Sequence, residues 1–213
     1  MKVAGIDEAG KGPVIGSMCI AGVVVDEAKI HSLKNLGVTD SKKISPRKRE
    51  ELAHKIKKYV DDYFIFEITP SQIDELRNVM SMNDIMVIGF SRVVENLNPE
   101  LVYVDSADVK PERFAEKIRS EYSKSNKTAS ENIKIISEHE ADVVYSVVSA
   151  ASIIAKVRRD ELVNNLKEEF GVDFGSGYPS DPKTKQFLLD WVKRYGSLPD
   201  IVRHSWKTAQ KLQ

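Results

Sequence analysis

Five short runs of β-branched and apolar residues, all but the first two separated by stretches of helical periodicity, restrict this chain to very few folds. Residues 2–7, 18–25, 63–69, 101–104 and 133–136 read as strands. Helical patterns cover 46–60, 71–96 in two pieces broken near Ser81 to Asn83, 111–122, 142–170 and 183–195. Met18 to Val25 contains no polar side chain, as expected of a strand buried on both faces. Ser45-Pro46 supplies an N-cap and a first-turn proline for the helix that follows. The polar stretch 123–131 and the Gly- and Pro-containing stretch 171–182 read as loops. This order predicts an α/β fold, a mixed sheet flanked by helices, with a helical C-terminal extension. We expect a catalytic domain over 1–172 and an extension over 173–213 packed on the same domain.

The chain has 213 residues, enough for one sizeable core. A lone cysteine, Cys19, excludes an internal disulfide framework and a cysteine-built zinc site. No apolar run reaches the ~20 residues of a membrane span, and the N-terminus does not resemble a secretory signal. The expectation is a cytoplasmic monomer that binds no membrane.

Gly5-Ile6-Asp7-Glu8-Ala9-Gly10-Lys11 has the spacing of a phosphate-binding loop, G-x-x-x-x-G-K. The next residue should be Ser or Thr to hold Mg²⁺, but it is Gly12, and Pro13 has no N–H to donate. Asp7 and Glu8 would also repel the phosphates such a loop cradles. A nucleotide-binding loop is therefore excluded. Two adjacent acids leaving an apolar strand suit hard-metal ligands better, provided that the strand ends there and the chain turns at Gly10, Gly12 and Pro13. The plain alternative is a solvated strand end.

Asp105 ends the 101–104 strand as Asp7 ends the first, and ligand sites of open α/β sheets lie beyond the carboxyl ends of strands. Asp108 competes with it from a loop. Asp142 stands before the long helix, where an N-cap is its ordinary role and a metal ligand the functional one. Four carboxylates without a His or Cys grouping point to Mg²⁺ or Mn²⁺, and two such ions form a recurring apparatus for hydrolysing phosphodiesters.

The zero net charge conceals a division, since residues 32–60 carry a net +6 and residues 183–213 a net +5. Such segments are either solvated helix faces or grips for phosphates flanking an acidic middle. On the second reading, binding is salt-sensitive despite overall neutrality.

These motifs and several others resemble type 2 ribonuclease H (ribonuclease HII), most closely its archaeal branch. The blocks are Gly5 to Pro13, Thr39-Asp40-Ser41-Lys42-Lys43, Val104 to Asp108, Ala141-Asp142, Ser149 to Val157, Gly175 to Pro182 and Arg203 to Thr208, in family order. The resemblance implies a ribonuclease H-like mixed five-stranded sheet and cleavage of the RNA strand in RNA/DNA hybrids. It also implies incision at single ribonucleotides in duplex DNA, a role in DNA replication and repair, and a two-ion site for Mn²⁺ or Mg²⁺. The catalytic and metal-binding acids carried over are Asp7, Glu8, Asp105 and Asp142. One ion is expected between Asp7 and Asp105, the other on Asp7, Glu8 and Asp142. The resemblance assigns reading of the 2′-hydroxyl to Gly10, Lys11 and Gly12, with Tyr178 against the sugar. Without the resemblance, Tyr178 would be an exposed or locally packed ring. Lys11 stands where bacterial relatives have Arg, which keeps backbone recognition and removes a bidentate contact.

Lys42, Lys43 and some of Lys183, Lys185, Arg203 and Lys207 are expected on backbone phosphates. Ser149, Ser152, Trp191 and Trp206 are expected to pack. The tail gives no support for a sliding-clamp partner. The rival readings are another nuclease or strand-transfer enzyme on the same fold, and a non-catalytic duplex-binding module.

Overall fold

The computed structural model describes residues 1–38 and 44–213. Its strands are β1 (Lys2–Ala9), β2 (Met18–Asp26), β3 (Asp62–Ile68), β4 (Leu101–Asp105) and β5 (Lys134–Glu138). They form one mixed sheet in the order β3-β2-β1-β4-β5. β1 runs parallel to β4 with Ile6 opposite Val104, and β4 runs parallel to β5 with Asp105 opposite Glu138. The helices are α1 (Ile30–Asn35), α2 (Pro46–Tyr59), α3 (Pro70–Arg77), α4 (Met82–Leu97), α5 (Pro111–Ser125), α6 (Lys127–Asn132), α7 (Ala141–Val144), α8 (Ser146–Phe170), α9 (Pro182–Tyr195) and α10 (Lys207–Gln210). Among the described residues, no helix is long and apolar enough to cross a membrane.

The chain divides into two compact units. One comprises Met1–Ala9, Ile20–Phe66 and Met82–Val157; the other comprises Gly10–Cys19, Glu67–Ser81 and Arg158–Gln213. The residues of β2 up to Val25 are buried, as its unbroken apolar run requires, and those from Ile20 on belong to the first unit. Val3, Val23 and Val25 pack with Leu52 and Ile56 of α2 and with Val147 and Ile154 of α8. The Ser45 hydroxyl accepts from Lys48 N at 3.4 Å and starts α2. Phe90 of α4 meets Phe114 of α5 edge to face at 5.2 Å. The second unit has its own core of Val14, Ile15, Phe174, Phe187, Leu188 and Val202. Trp191 packs there against Phe170 and Phe187, at 5.3 and 5.5 Å.

Four local features depart from the sequence reading. A 3-10 turn (Glu27–Lys29), capped by the Asp26 carboxylate on Ala28 N at 3.0 Å, leads into α1, which periodicity did not reveal. Part of the polar stretch 123–131 is helical, as the end of α5 and most of α6. β1 continues through both acids to Ala9, so the turn comes later than expected. The long helix starts only at Ser146, because Tyr145 is extended (φ −108, ψ 117). Asp142 is thus not its N-cap; it lies in the first turn of the separate α7, which follows Glu140 in the left-handed region (φ 56).

Backbone packs most tightly on backbone in the first unit under Gly5, where a Cβ would stand 2.2 Å from the Val147 carbonyl carbon and 2.3 Å from Val148 N. The neighbouring atoms are backbone, so no side chain can yield. Gly5→Ala should destabilise the fold by about 3 kcal/mol or more, measured by urea unfolding. Gly171→Ala, with φ 63 and nothing within 4 Å, should cost only the left-handed strain of about 1 kcal/mol. Equal effects would contradict this packing.

Candidate active site

Parallel pairing of β1 with β4 sets Asp7, one residue past Ile6, beside Asp105, one past Val104 and the last residue of β4. Asp7 is 5% exposed. Its carboxyl group is held well above the usual carboxylate range, first by burial and then by repulsion from Glu8, with Asp105 adding to the rise. Two donors oppose it. Glu8 N–H donates to Asp7 Oδ1 at 2.7 Å, and the nearby buried Ser152 hydroxyl also holds the pKa down. Ser152 therefore faces the acids, whereas Ser149 donates to the Val38 carbonyl.

Asp105 is tied to the residue that precedes the fourth predicted acid. Its Oδ1 accepts from Ala141 N at 2.8 Å, which ties the start of α7 to the end of β4. Asp142 is the next residue and is 5% exposed. Asp108 stays out of this group, because Arg113 and Lys110 N–H bind its carboxylate and lower it to about 2. Glu138, a carboxylate that sequence reasoning passed over, ends β5 opposite Asp105 and accepts from the Tyr145 hydroxyl at 2.8 Å. That bond and burial push Tyr145 up to about 12, and its ring stacks on Tyr103 at 4.0 Å.

Among the described residues, no three His, Cys, Asp or Glu side chains stand close enough to ring an ion as they are. The donor set nevertheless fits a hard divalent cation. It offers carboxylate oxygens only, and the mutual repulsion that raises Asp7 is what a cation would relieve. Cys19 is buried with its thiol pushed up to about 12, chiefly by desolvation, which leaves it neither ligand nor nucleophile.

The second unit holds the glycine loop. Gly10 has φ 86, and a Cβ there would lie 2.9 Å from the Ser17 carbonyl oxygen. A Cβ on Gly12 would lie 3.3 Å from the Tyr178 ring, so the loop and this ring are neighbours. Tyr178 is 41% exposed, and the Arg159 guanidinium sits over its ring at 5.5 Å. Arg159 also donates to the Ser176 carbonyl. Asp181 accepts from Ser176 N and Oγ, both at 2.7 Å, and its carboxyl group is lowered to about 2 by those bonds. The buried Thr184 hydroxyl accepts from Gly177 N at 3.0 Å and donates to the Phe174 carbonyl at 2.8 Å. Val14 N and Ile15 N both donate to the Gly177 carbonyl, at 2.8 and 3.2 Å.

One expected phosphate grip is something else. Arg203 is fully buried and donates to the Gly10, Lys11 and Gly16 carbonyls at 2.6, 2.9 and 2.9 Å. Its place in a basic segment suggested a surface role that its burial rules out. Trp206 Nε1 donates to the Gly12 carbonyl at 3.0 Å. Lys183 pairs with Asp173 at 2.6 Å, while Lys185 and Lys207 are exposed. Lys42 and Lys43 lie outside the described residues.

Comparison with known proteins bears on these arrangements. The family model described as ribonuclease HII matches residues 4–209. Ribonuclease HII of Methanosarcina mazei is 62% identical over 214 residues, covering 100% of this chain and 97% of that protein. The crystal structure of the ribonuclease H2 from Pyrococcus horikoshii is similar with a TM-score of 0.91 and 47% identity, covering 100% of this chain and 97% of that one. The ribonuclease HII in the PCNA complex from Archaeoglobus fulgidus is similar at 0.87 and 42%, covering 97% and 96%. The ribonuclease H-like fold expected from the motifs is therefore present. This chain belongs to the ribonuclease HII family, metal-dependent endonucleases that degrade the RNA strand of RNA/DNA hybrids.

Proposed function

We propose that this endoribonuclease also incises duplex DNA at single embedded ribonucleotides, by a two-metal-ion mechanism that leaves 3′-hydroxyl and 5′-phosphate ends. The observation that carries the mechanism is the burial of Asp7 beside Glu8 and Asp105, with Asp105 bound to the residue that precedes Asp142. Asp7 and Asp105 would hold one ion; Asp7, Glu8 and Asp142 would hold the other. Bound there, two Mg²⁺ or Mn²⁺ ions supply a nucleophile drawn from water at neutral pH and neutralise the charge that grows on the leaving 3′-oxygen. The protein's part would be to bring these acids to one place partly shielded from water, which would strengthen their hold on a cation. Glu8 N–H orients Asp7, and Ala141 N–H orients Asp105.

Substrate choice falls to the Gly10–Gly12 loop and Tyr178. A loop with glycine at both ends lets backbone approach a sugar closely, and the 2′-hydroxyl can both donate and accept. Tyr178, seated by Arg159 and the 174–184 loop bonds, presents an exposed ring for the neighbouring sugar. Lys42, Lys43, Lys185 and Lys207 are proposed as phosphate contacts that set register and carry no sequence information. The A. fulgidus relative is described in complex with PCNA, and a sliding clamp is proposed as a partner here as well. The groove of Pro179, Leu188, Leu189 and Leu212 offers apolar surface for one. A monomer in a reducing cytoplasm suits the single buried thiol.

A duplex with one ribonucleotide should be cut with Mn²⁺ or Mg²⁺ present, and the matching all-DNA duplex left intact. Asp7→Asn and Asp105→Asn should each lower the cleavage rate about a hundredfold or more. Full activity in either variant would remove that acid from the mechanism. Cutting of both duplexes would favour a general nuclease on this fold.

Tyr178→Ala should fold normally, since the ring is exposed, and lose roughly tenfold or more in preference for the ribonucleotide-containing duplex. An unfolded variant, read by circular dichroism, would make the ring a packing element instead.

A further inference from the structure

Arg203 is a guanidinium without exposure. Among the described residues it makes no ion pair; its bonds go to main-chain carbonyls of one short segment, Gly10, Lys11 and Gly16. Burying such a charge is costly unless its donors are satisfied, and charge-assisted bonds to several carbonyls satisfy this one. Trp206, stacked against it at 4.8 Å, takes the Gly12 carbonyl. The carbonyls of three consecutive residues, 10 to 12, are thus held from the same side by one tetrapeptide, Arg203-His204-Ser205-Trp206.

That tetrapeptide is itself fixed. Asp74 of α3 accepts from His204 N at 2.8 Å, from Ser205 N at 2.9 Å and from Ser205 Oγ at 2.6 Å. Arg203 N donates to the Val14 carbonyl at 2.8 Å, and Gly16 N to the Ile201 carbonyl at 2.9 Å. In a trans peptide, the carbonyl of one residue and the N–H of the next point in opposite directions. Carbonyls of Gly10 and Lys11 drawn to Arg203 therefore turn the N–H groups of Lys11 and Gly12 to the opposite side of the loop.

We propose that Arg203 and Trp206 are positioning residues that set the Gly10–Gly12 peptides for reading the ribose, so that the C-terminal segment determines selectivity without touching substrate. This rests on the reading that the loop contacts the 2′-hydroxyl. A lysine at 203 has no planar fork and cannot span the Gly10, Lys11 and Gly16 carbonyls together. Loss of the Trp206 donor frees the last carbonyl of the three.

The test compares the dissociation constants for a duplex with one ribonucleotide and for its all-DNA counterpart, without divalent ions. The proteins are wild type, Arg203→Lys, Trp206→Phe and Gly12→Ala, each with its thermal midpoint. Wild type should prefer the ribonucleotide duplex. Folded Arg203→Lys and Trp206→Phe should lose about five- to tenfold of that preference, with affinity for the all-DNA duplex within about twofold of wild type. A preference retained in both variants but reduced in Gly12→Ala overturns the proposal and leaves the loop reading standing. So does an equal loss of affinity for both duplexes. If Gly12→Ala also keeps the preference, or wild type has none, the loop reading fails and the proposal with it. Should Arg203→Lys not fold, Trp206→Phe, which keeps an aromatic ring and removes one donor, decides alone.

Discussion

The parallel pairing of β1 with β4 is the constraint on which the acid site depends. Side chains at matched positions of parallel strands leave the sheet on the same side, so the register that sets Ile6 opposite Val104 also brings the Asp7 and Asp105 carboxylates together. Gly5 permits it, since the backbone of α8 lies where any Cβ would go. Hydrophobic packing thereby holds like charges near one another: the valines and isoleucines of the sheet contribute the burial, and the cost appears as the raised pKa of Asp7. A different force, one hydrogen bond from Ala141 N in α7 to Asp105, ties the residue before Asp142 to the end of β4.

The second unit follows a complementary logic. Where the first gathers anions, this one gathers main-chain carbonyls around a cation, and Arg203 organises the glycine loop as Asp181 and Thr184 organise the loop that carries Tyr178. Both loops are fixed by side-chain hydrogen bonds to the main chain rather than by regular secondary structure. Neutral overall composition is the sum of these opposed local choices.

Much of this was legible in the sequence. All five strands, the break between α3 and α4, and the separation of Asp7, Glu8 and Asp105 from the helical segments follow from periodicity and from where apolar runs meet acids. Three things were not legible. The split between α7 and α8 depends on a left-handed Glu140 and a long-range bond to Asp105, neither of which leaves a periodic trace. Arg203 sits in a basic stretch whose charge suggested a surface, because sequence cannot show that one cation among seven points inward. Arg159 and Glu138 were missed because their partners, Tyr178 and Tyr145, are chosen by tertiary packing. The visible signals were the Arg158-Arg159-Asp160 run and the acids of Glu138 to Asp142.

Cation binding by carboxylates gathered through packing underlies the proposed mechanism. Calorimetric titration of Mn²⁺ into the protein without nucleic acid tests it most directly. The account predicts saturable binding in the wild-type protein that is lost or at least tenfold weaker in Asp105→Asn. Equal binding in the two proteins, or none in either with nucleic acid present or absent, would contradict it.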